Sequence, residues 1–280
     1  MIGSSGVVAA YPRLREAENE LKAGRLEEAT KLVMQHLREH RNEPRGVALL
    51  GALALRGGAL IQAEQFLRQA MALGARSLEV QQDLASAINQ QERPGEALNA
   101  FTYLETQTAD PQIRAAKALI LDKLGRNSEA IRAYEALIAE DPDTTRFWIG
   151  YGHSLRAAGR TDDAVAAYRR VTQIDLESGE AWWALANIKS KVLTDEDITV
   201  MNQALAIAVD VGNISPLHFA LGRAWHDRKD YAKSFEHFSE GNRIRSETID
   251  FRVEELTIEV DEFIDLIDRG FFDRPAPAAE

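Results

Sequence analysis

Apolar and small residues recur along this chain at the spacing i, i+3, i+4, i+7, which is one face of an α-helix. From Trp148 the face runs Trp148, Tyr151, Gly152 and Leu155, and after a break at Gly159-Arg160-Thr161 it resumes as Ala164, Ala167, Tyr168 and Val171. Glycine is favoured where a helix ends, and threonine caps the next. The same two-helix template fits Val47, Leu50, Gly51, Ala54 followed by Ala63, Phe66, Leu67, Ala70. It also fits Leu84, Ala85, Ile88 with Ala97, Ala100, Phe101, Leu104, and Ala118, Leu121 with Ala130, Ala133, Tyr134, Leu137. Near the end it reads Leu221, Gly222, Trp225 with Ser234 and Phe238. The pattern predicts an all-helical chain.

Register adds a second layer. Ala29, Ala63, Ala97, Ala130 and Ala164 follow one another at spacings of 34, 34, 33 and 34, and Ser234 lies 70 residues after Ala164. Gly51, Ala85, Ala118, Gly152, Ala186 and Gly222 supply a second set of small residues, as expected where two helices cross closely. Large residues at Phe101, Tyr134, Tyr168 and Phe238 are expected to plug the gap to the next unit, and Pro44, Pro111 and Pro142 to separate the units. A 34-residue helix–turn–helix period is the tetratricopeptide signature, and these residues closely resemble that consensus over nearly the whole chain. The resemblance implies an all-α fold, a right-handed superhelical solenoid of about seven tetratricopeptide-repeat (TPR) helix pairs with a C-terminal capping helix.

The expected organisation is a disordered segment over 1–10 and repeats near 11–43, 44–77, 78–110, 111–144 and 145–178. An atypical repeat follows over 179–213 and another over 214–250, then a capping helix over 251–272 and a linker or tail over 273–280. The first repeat carries Glu16 and Glu20 where later ones are apolar, suiting a terminal unit whose outer face meets water. The sixth begins normally at Trp182, Leu185 and Ala186. Its second helix is then displaced to a start at Thr194-Asp195-Glu196-Asp197, with Ile198, Met201, Leu205 and Ala208 as its buried stripe. Val253, Leu256, Val260, Phe263, Ile264 and Ile267 form the apolar face of the expected capping helix.

Two of these departures carry a further resemblance. The run from Trp182 to Lys189 with Thr194 to Ile198 is similar to a stretch of bacterial TPR sulfotransferases. So is Tyr231-Ala232-Lys233-Ser234-Phe235 leading to Glu240-Gly241-Asn242-Arg243-Ile244-Arg245 and on to Phe271-Phe272. In that family the repeats precede a sulfotransferase domain that uses 3′-phosphoadenosine 5′-phosphosulfate and opens on a Pro-Arg-Ser-Gly-Thr-Thr type loop. The expectation is therefore the repeat region of such an enzyme, or a stand-alone relative. No donor-binding or catalytic residue carries over, and no enzyme activity is expected of this chain.

Composition narrows the partners. The 280 residues are 45% hydrophobic and 28% charged, enough apolar surface for an ordered chain. A net charge of −11 argues against nucleic acid, whose binding draws on surplus Lys and Arg, and against anionic membrane surfaces. No cysteine is present, which removes disulfides, thiolate catalysis and Cys-based zinc sites. Residues 1–10 have no basic segment ahead of their apolar stretch, and no run of about 20 apolar residues exists to span a bilayer. The expected location is cytoplasmic.

Candidate chemistry is sparse, and no cofactor is expected. Gly150-Tyr151-Gly152 lacks the third glycine and preceding strand of a dinucleotide loop. His36 and His40 share a helix face at i, i+4 but lack a third ligand at recognisable spacing, so a solvated helix surface is the better reading. His226 and His237 read as packing or surface residues. Glu254, Glu255, Asp261 and Glu262 read as the exposed side of the last helix.

Architecture supplies the better candidate. In the resembled fold the first helices of successive repeats line a concave groove. The positions between the packing residues are Arg146, Ile149, His153 and Arg156, then Trp183, Asn187, Ser190 and Lys191, then Phe219 and Arg223. Arg, Lys and Asn grip carboxylates or peptide backbone, and Trp and Phe offer flat apolar contact. The expected function is a protein-interaction scaffold holding an acidic tail or extended peptide there, with self-association as a further partner class.

Overall fold

The computed structural model describes residues 11–188 and 191–248 together with positions 257, 260, 261 and 264. The expected N-terminal segment and C-terminal tail lie outside the described residues. So does most of the expected capping helix, of which Thr257, Val260, Asp261 and Ile264 are helical and exposed.

Among the described residues the structure is fourteen helices, in two compact units divided after Ile174. The first holds α1 (Pro12–Lys22), α2 (Leu26–Glu39), α3 (Pro44–Arg56), α4 (Leu60–Ala72), α5 (Leu78–Gln90) and α6 (Pro94–Gln107). It continues with α7 (Pro111–Lys123), α8 (Asn127–Glu140), α9 (Thr145–Ala157) and α10 (Thr161–Ile174). The second holds α11 (Gly179–Ala186), α12 (Asp195–Ile207), α13 (Val211–Asp227) and α14 (Tyr231–Thr248).

In the first unit consecutive helices pair as α1–α2, α3–α4, α5–α6, α7–α8 and α9–α10, and each second helix also packs on the first helix of the next pair. The periodic alanines explain why. Ala29, Ala63, Ala97, Ala130 and Ala164 are each the fourth residue of a second helix, and each is completely buried. Across the crossing sits the other small residue: a Cβ on Gly51 would come 2.5 Å from Leu67 Cγ. Leu67, Leu104, Leu137 and Tyr168 fill the remaining space at full or near-full burial. The rings also serve different crossings. Tyr134 of α8 packs against Gly150 of the following pair, whereas Tyr168 closes the crossing inside its own pair, at Gly152.

Turns follow the same register. Gly24, Gly58, Gly125 and Gly159 adopt positive φ between +73° and +79°, the left-handed conformation that lets a helix end and reverse. Glu92 and Lys229 occupy this position in two other pairs, at φ +56° and +65°. The first helices α3, α5 and α7 start on a side-chain cap. Glu43 accepts hydrogen bonds from the backbone N–H of Arg45 and Gly46 ahead of α3, with Pro44 at the first helical position.

The second unit breaks the pairing. Helix α11 has eight residues and packs chiefly on α13, with Gly179 donating its N–H to Asn213 Oδ1 at 3.2 Å. A reciprocal capping box starts α12: Thr194 N–H donates to Asp197 Oδ2 (2.6 Å) and Asp197 N–H to Thr194 Oγ1 (3.2 Å). Ile198, Met201 and Ala204 are buried, while Leu205 and Ala208 are only half-buried. Arg228, at the end of α13, anchors this segment through Asp195 (2.7 Å) and the carbonyl of Leu193 (3.3 Å).

Candidate functional site

Candidate residues of the first unit lie on α9. Its position rests on packing at Phe147, Gly152 and Leu155, all buried, and on Trp148, whose indole N–H donates to the Pro142 carbonyl at 2.8 Å. Arg146 is exposed but engaged, donating to Gln112 Oε1 at 2.8 Å, so the same register position of two successive first helices is tied together. Ile149 and His153 are half-buried, and His153 Nδ1 lies 2.7 Å from the Tyr168 hydroxyl. Arg156 is exposed and has no side-chain partner among the described residues.

One group here went unnoticed in the sequence. Asp122 on α7 occupies the register position of Arg156 one repeat earlier, and Ser154, fully buried, hydrogen-bonds to its carboxylate. Burial pushes the Asp122 carboxyl above the usual carboxylate range, against the opposing pull of Ser154. Its Oδ1, like Asn89 Oδ1 at the equivalent place on α5, is buried without a hydrogen-bond partner. The 34-residue offset from Arg156 was the available signal, since it places the carboxylate on the same side of a first helix.

In the second unit the structure brings Trp183 and Phe219 together. Their ring centroids are 5.7 Å apart at 50°, and Phe219 continues to Phe238 at 6.4 Å and 33°. Trp182 points the other way, buried, with its indole N–H on the Leu176 carbonyl at 2.9 Å. Arg223 is half-buried and sits 3.3 Å from Asp227, one turn along.

Asn187 and Lys191 diverge. Asn187 is the exposed C-cap of α11, so the face that begins at Trp183 ends there. Lys191 is not on a helix at all: it is exposed in the connection to α12, with φ +53°. With α11 ending at Ala186 and the capping box at Thr194 starting α12, Lys191 falls outside both helices and off the expected helical register. Ser190 lies outside the described residues. Of the expected cations, Arg146 and Arg223 are engaged by Gln112 and Asp227, while Arg156 and Lys191 are exposed on separate elements.

The family model described as tetratricopeptide repeat matches residues 83–143, 115–176 and 152–188. The chain has the tetratricopeptide-repeat fold. A TPR protein from Parabacteroides merdae ATCC 43184 aligns over 83% of this chain and 92% of its own, at 13% identity and a TM-score of 0.62. YrrB, described as a TPR protein with an unusual peptide-binding site, covers 61% of this chain and 89% of its own, at 17% identity and a TM-score of 0.52. MamA of AMB-1 covers 58% and 97%, at 20% identity and a TM-score of 0.52. At such identities the likeness is one of fold. No curated protein matches the sequence.

The remaining chemistry of this chain is limited. Among the described residues no three His, Asp or Glu side chains are grouped to hold a metal, and no helix is long and apolar enough to cross a membrane. His36 is buried with Nε2 lacking a hydrogen-bond partner, 3.6 Å from Glu43 and packed between the rings of Tyr11 and His40. It is a core residue of the first pair and not part of a solvated face.

Proposed function

We propose that this chain is a protein-interaction scaffold that binds a peptide or protein partner on the face presented by first helices of its TPR pairs. The observation that carries this reading is the Trp183–Phe219 ring pair, half-buried on α11 and α13 beside an exposed Asn187 that has no side-chain partner among the described residues. Flat rings next to an uncommitted amide suit an extended backbone, the amide for its polar groups and the rings for its side chains. Arg156 offers an uncommitted cation on α9 of the first unit, suited to a carboxylate. The peptide-binding site named for YrrB, on a similar fold, supports the same use. The choice of protein over nucleic acid or an anionic membrane surface rests on the net charge of −11.

The test is a pull-down from native lysate, identified by mass spectrometry, with wild type set against Arg156→Ala/Asn187→Ala and against Trp183→Ala. A partner recovered by wild type and lost with the variants supports the reading. Equal recovery with all three proteins overturns it.

A second reading makes the chain the regulatory or acceptor-positioning arm of a TPR-containing sulfotransferase. The resembling stretch from Trp182 to Ile198 supports it, because among the described residues that stretch is where the helix pairing is interrupted, at α11 and the capped start of α12. A sulfotransferase reading frame continuing from or adjoining residue 280 would favour it. A reading frame that holds no phosphosulfate-binding loop would remove it.

A further inference from the structure

The second unit holds a histidine pair that the proposed partner face does not use. His218 on α13 and His237 on α14 are both half-buried, with Nδ1 atoms 3.1 Å apart and ring centroids separated by 5.3 Å. We propose that this pair is a two-imidazole site for a nitrogen-preferring divalent ion of the Zn²⁺, Ni²⁺ or Cu²⁺ class.

The separation is the first argument. Two nitrogens each about 2.0–2.1 Å from one ion stand about 3.3 Å apart at a tetrahedral angle and about 2.9 Å apart as square-planar neighbours. The observed 3.1 Å falls between these values, so either geometry is reached by small ring rotations. Both ligands also come from well-packed helices. Gly241, one turn beyond His237, is so close to α13 that an added Cβ would meet Phe219 Cε1 at 2.9 Å and His218 Cβ at 3.2 Å. Two ligands fixed in this way lose little freedom when they bind an ion.

Protonation favours the same outcome. At this contact one Nδ1 donates and the other accepts, so the accepting ring is a neutral imidazole, the form that binds metal. Burial holds both imidazoles below the ordinary histidine range. The charged groups facing them are Glu236 and Glu240, which favour protonation, and Arg243, which opposes it. Glu240 is committed to Arg243 at 2.6 and 2.9 Å, and no third His, Asp or Glu among the described residues groups with the pair, leaving water as the source of the remaining ligands. An all-nitrogen protein contribution selects against Mg²⁺ and Ca²⁺, which require oxygen.

The experiment uses the full chain without a polyhistidine tag. Calorimetric titration with NiCl₂ and ZnCl₂ should give one ion per chain, with MgCl₂ silent. His218→Ala and His237→Ala should each weaken binding at least tenfold, whereas His36→Ala should leave it unchanged. No binding by wild type, or binding equally strong in the His218/His237 double variant, overturns the proposal. Should the variants unfold, substoichiometric Cu²⁺ added to wild type decides by NMR. The ring protons of His218 and His237 should broaden before those of the other four histidines, and broadening that begins at any other histidine overturns the assignment.

Discussion

Gly152 of α9 lies directly beneath the ring of Tyr168 on α10, so close that a Cβ at Gly152 would overlap ring carbons. Tyr168 is completely buried and its hydroxyl is held by His153, so the ring has nowhere to retreat. Gly152→Leu should therefore overpack the crossing and destabilise the fold by about 1–3 kcal/mol. A thermal unfolding curve checks this, and an unchanged midpoint would show that the two helices do not cross at Gly152.

Lys229 should yield the opposite sign. It sits after α13 in the left-handed conformation, with the next N–H, that of Asp230, donated to the Trp225 carbonyl at 3.1 Å. Four other pairs use glycine here, and a side chain in this region is strained. Lys229→Gly should raise stability by roughly 0.5–1 kcal/mol, the relief of strain exceeding the entropy cost of glycine. Urea denaturation at constant m-value measures it.

His36 predicts a pH dependence. Burial, with His40 and Arg13 adding to it, holds the His36 imidazole below its ordinary value, while Glu43 and Glu39 pull the other way. The unfolded chain, near the ordinary histidine pKa of about 6.5, therefore takes up its proton first as pH falls. Stability is full above that value and declines as pH drops through it. His218 and His237 are shifted in the same direction and add to the decline. Urea midpoints at pH 7.5 and 5.5 should show the drop, and His36→Leu should make it smaller.

Arg156→Ala and Asn187→Ala should each change stability by less than about 0.5 kcal/mol, because both side chains are exposed and have no side-chain partner among the described residues. Circular dichroism melts of these variants thus separate loss of binding from loss of fold. A large drop in midpoint for either would mean that the residue serves packing.

The helical period, the two sets of small residues and the repeat length were all legible in the chain, and for one reason. Close crossing of two helices demands a missing side chain at each contact, so Ala29, Ala63, Ala97, Ala130 and Ala164 had to recur at the structural period. The αL turn was legible where it is glycine and invisible at Glu92 and Lys229, because their side chains carry no sign of a positive φ. The interruption of the sixth repeat was also visible, in Thr194 and Asp197, since a capping box is a local feature.

What tertiary structure alone decided is which polar side chains are spoken for. Arg146 and Arg223 have the residue type of a binding surface, yet Gln112 and Asp227 already hold them. Lys191 left the helical face because α11 stops at Ala186 and packs on α13, a choice made by contacts with residues some thirty positions away. The pairing of His218 with His237 and of Asp122 with Ser154 likewise joins different helices. Sequence determines the face a residue occupies on its own helix by local periodicity; its partner across the next helix depends on packing between elements, which no local pattern encodes.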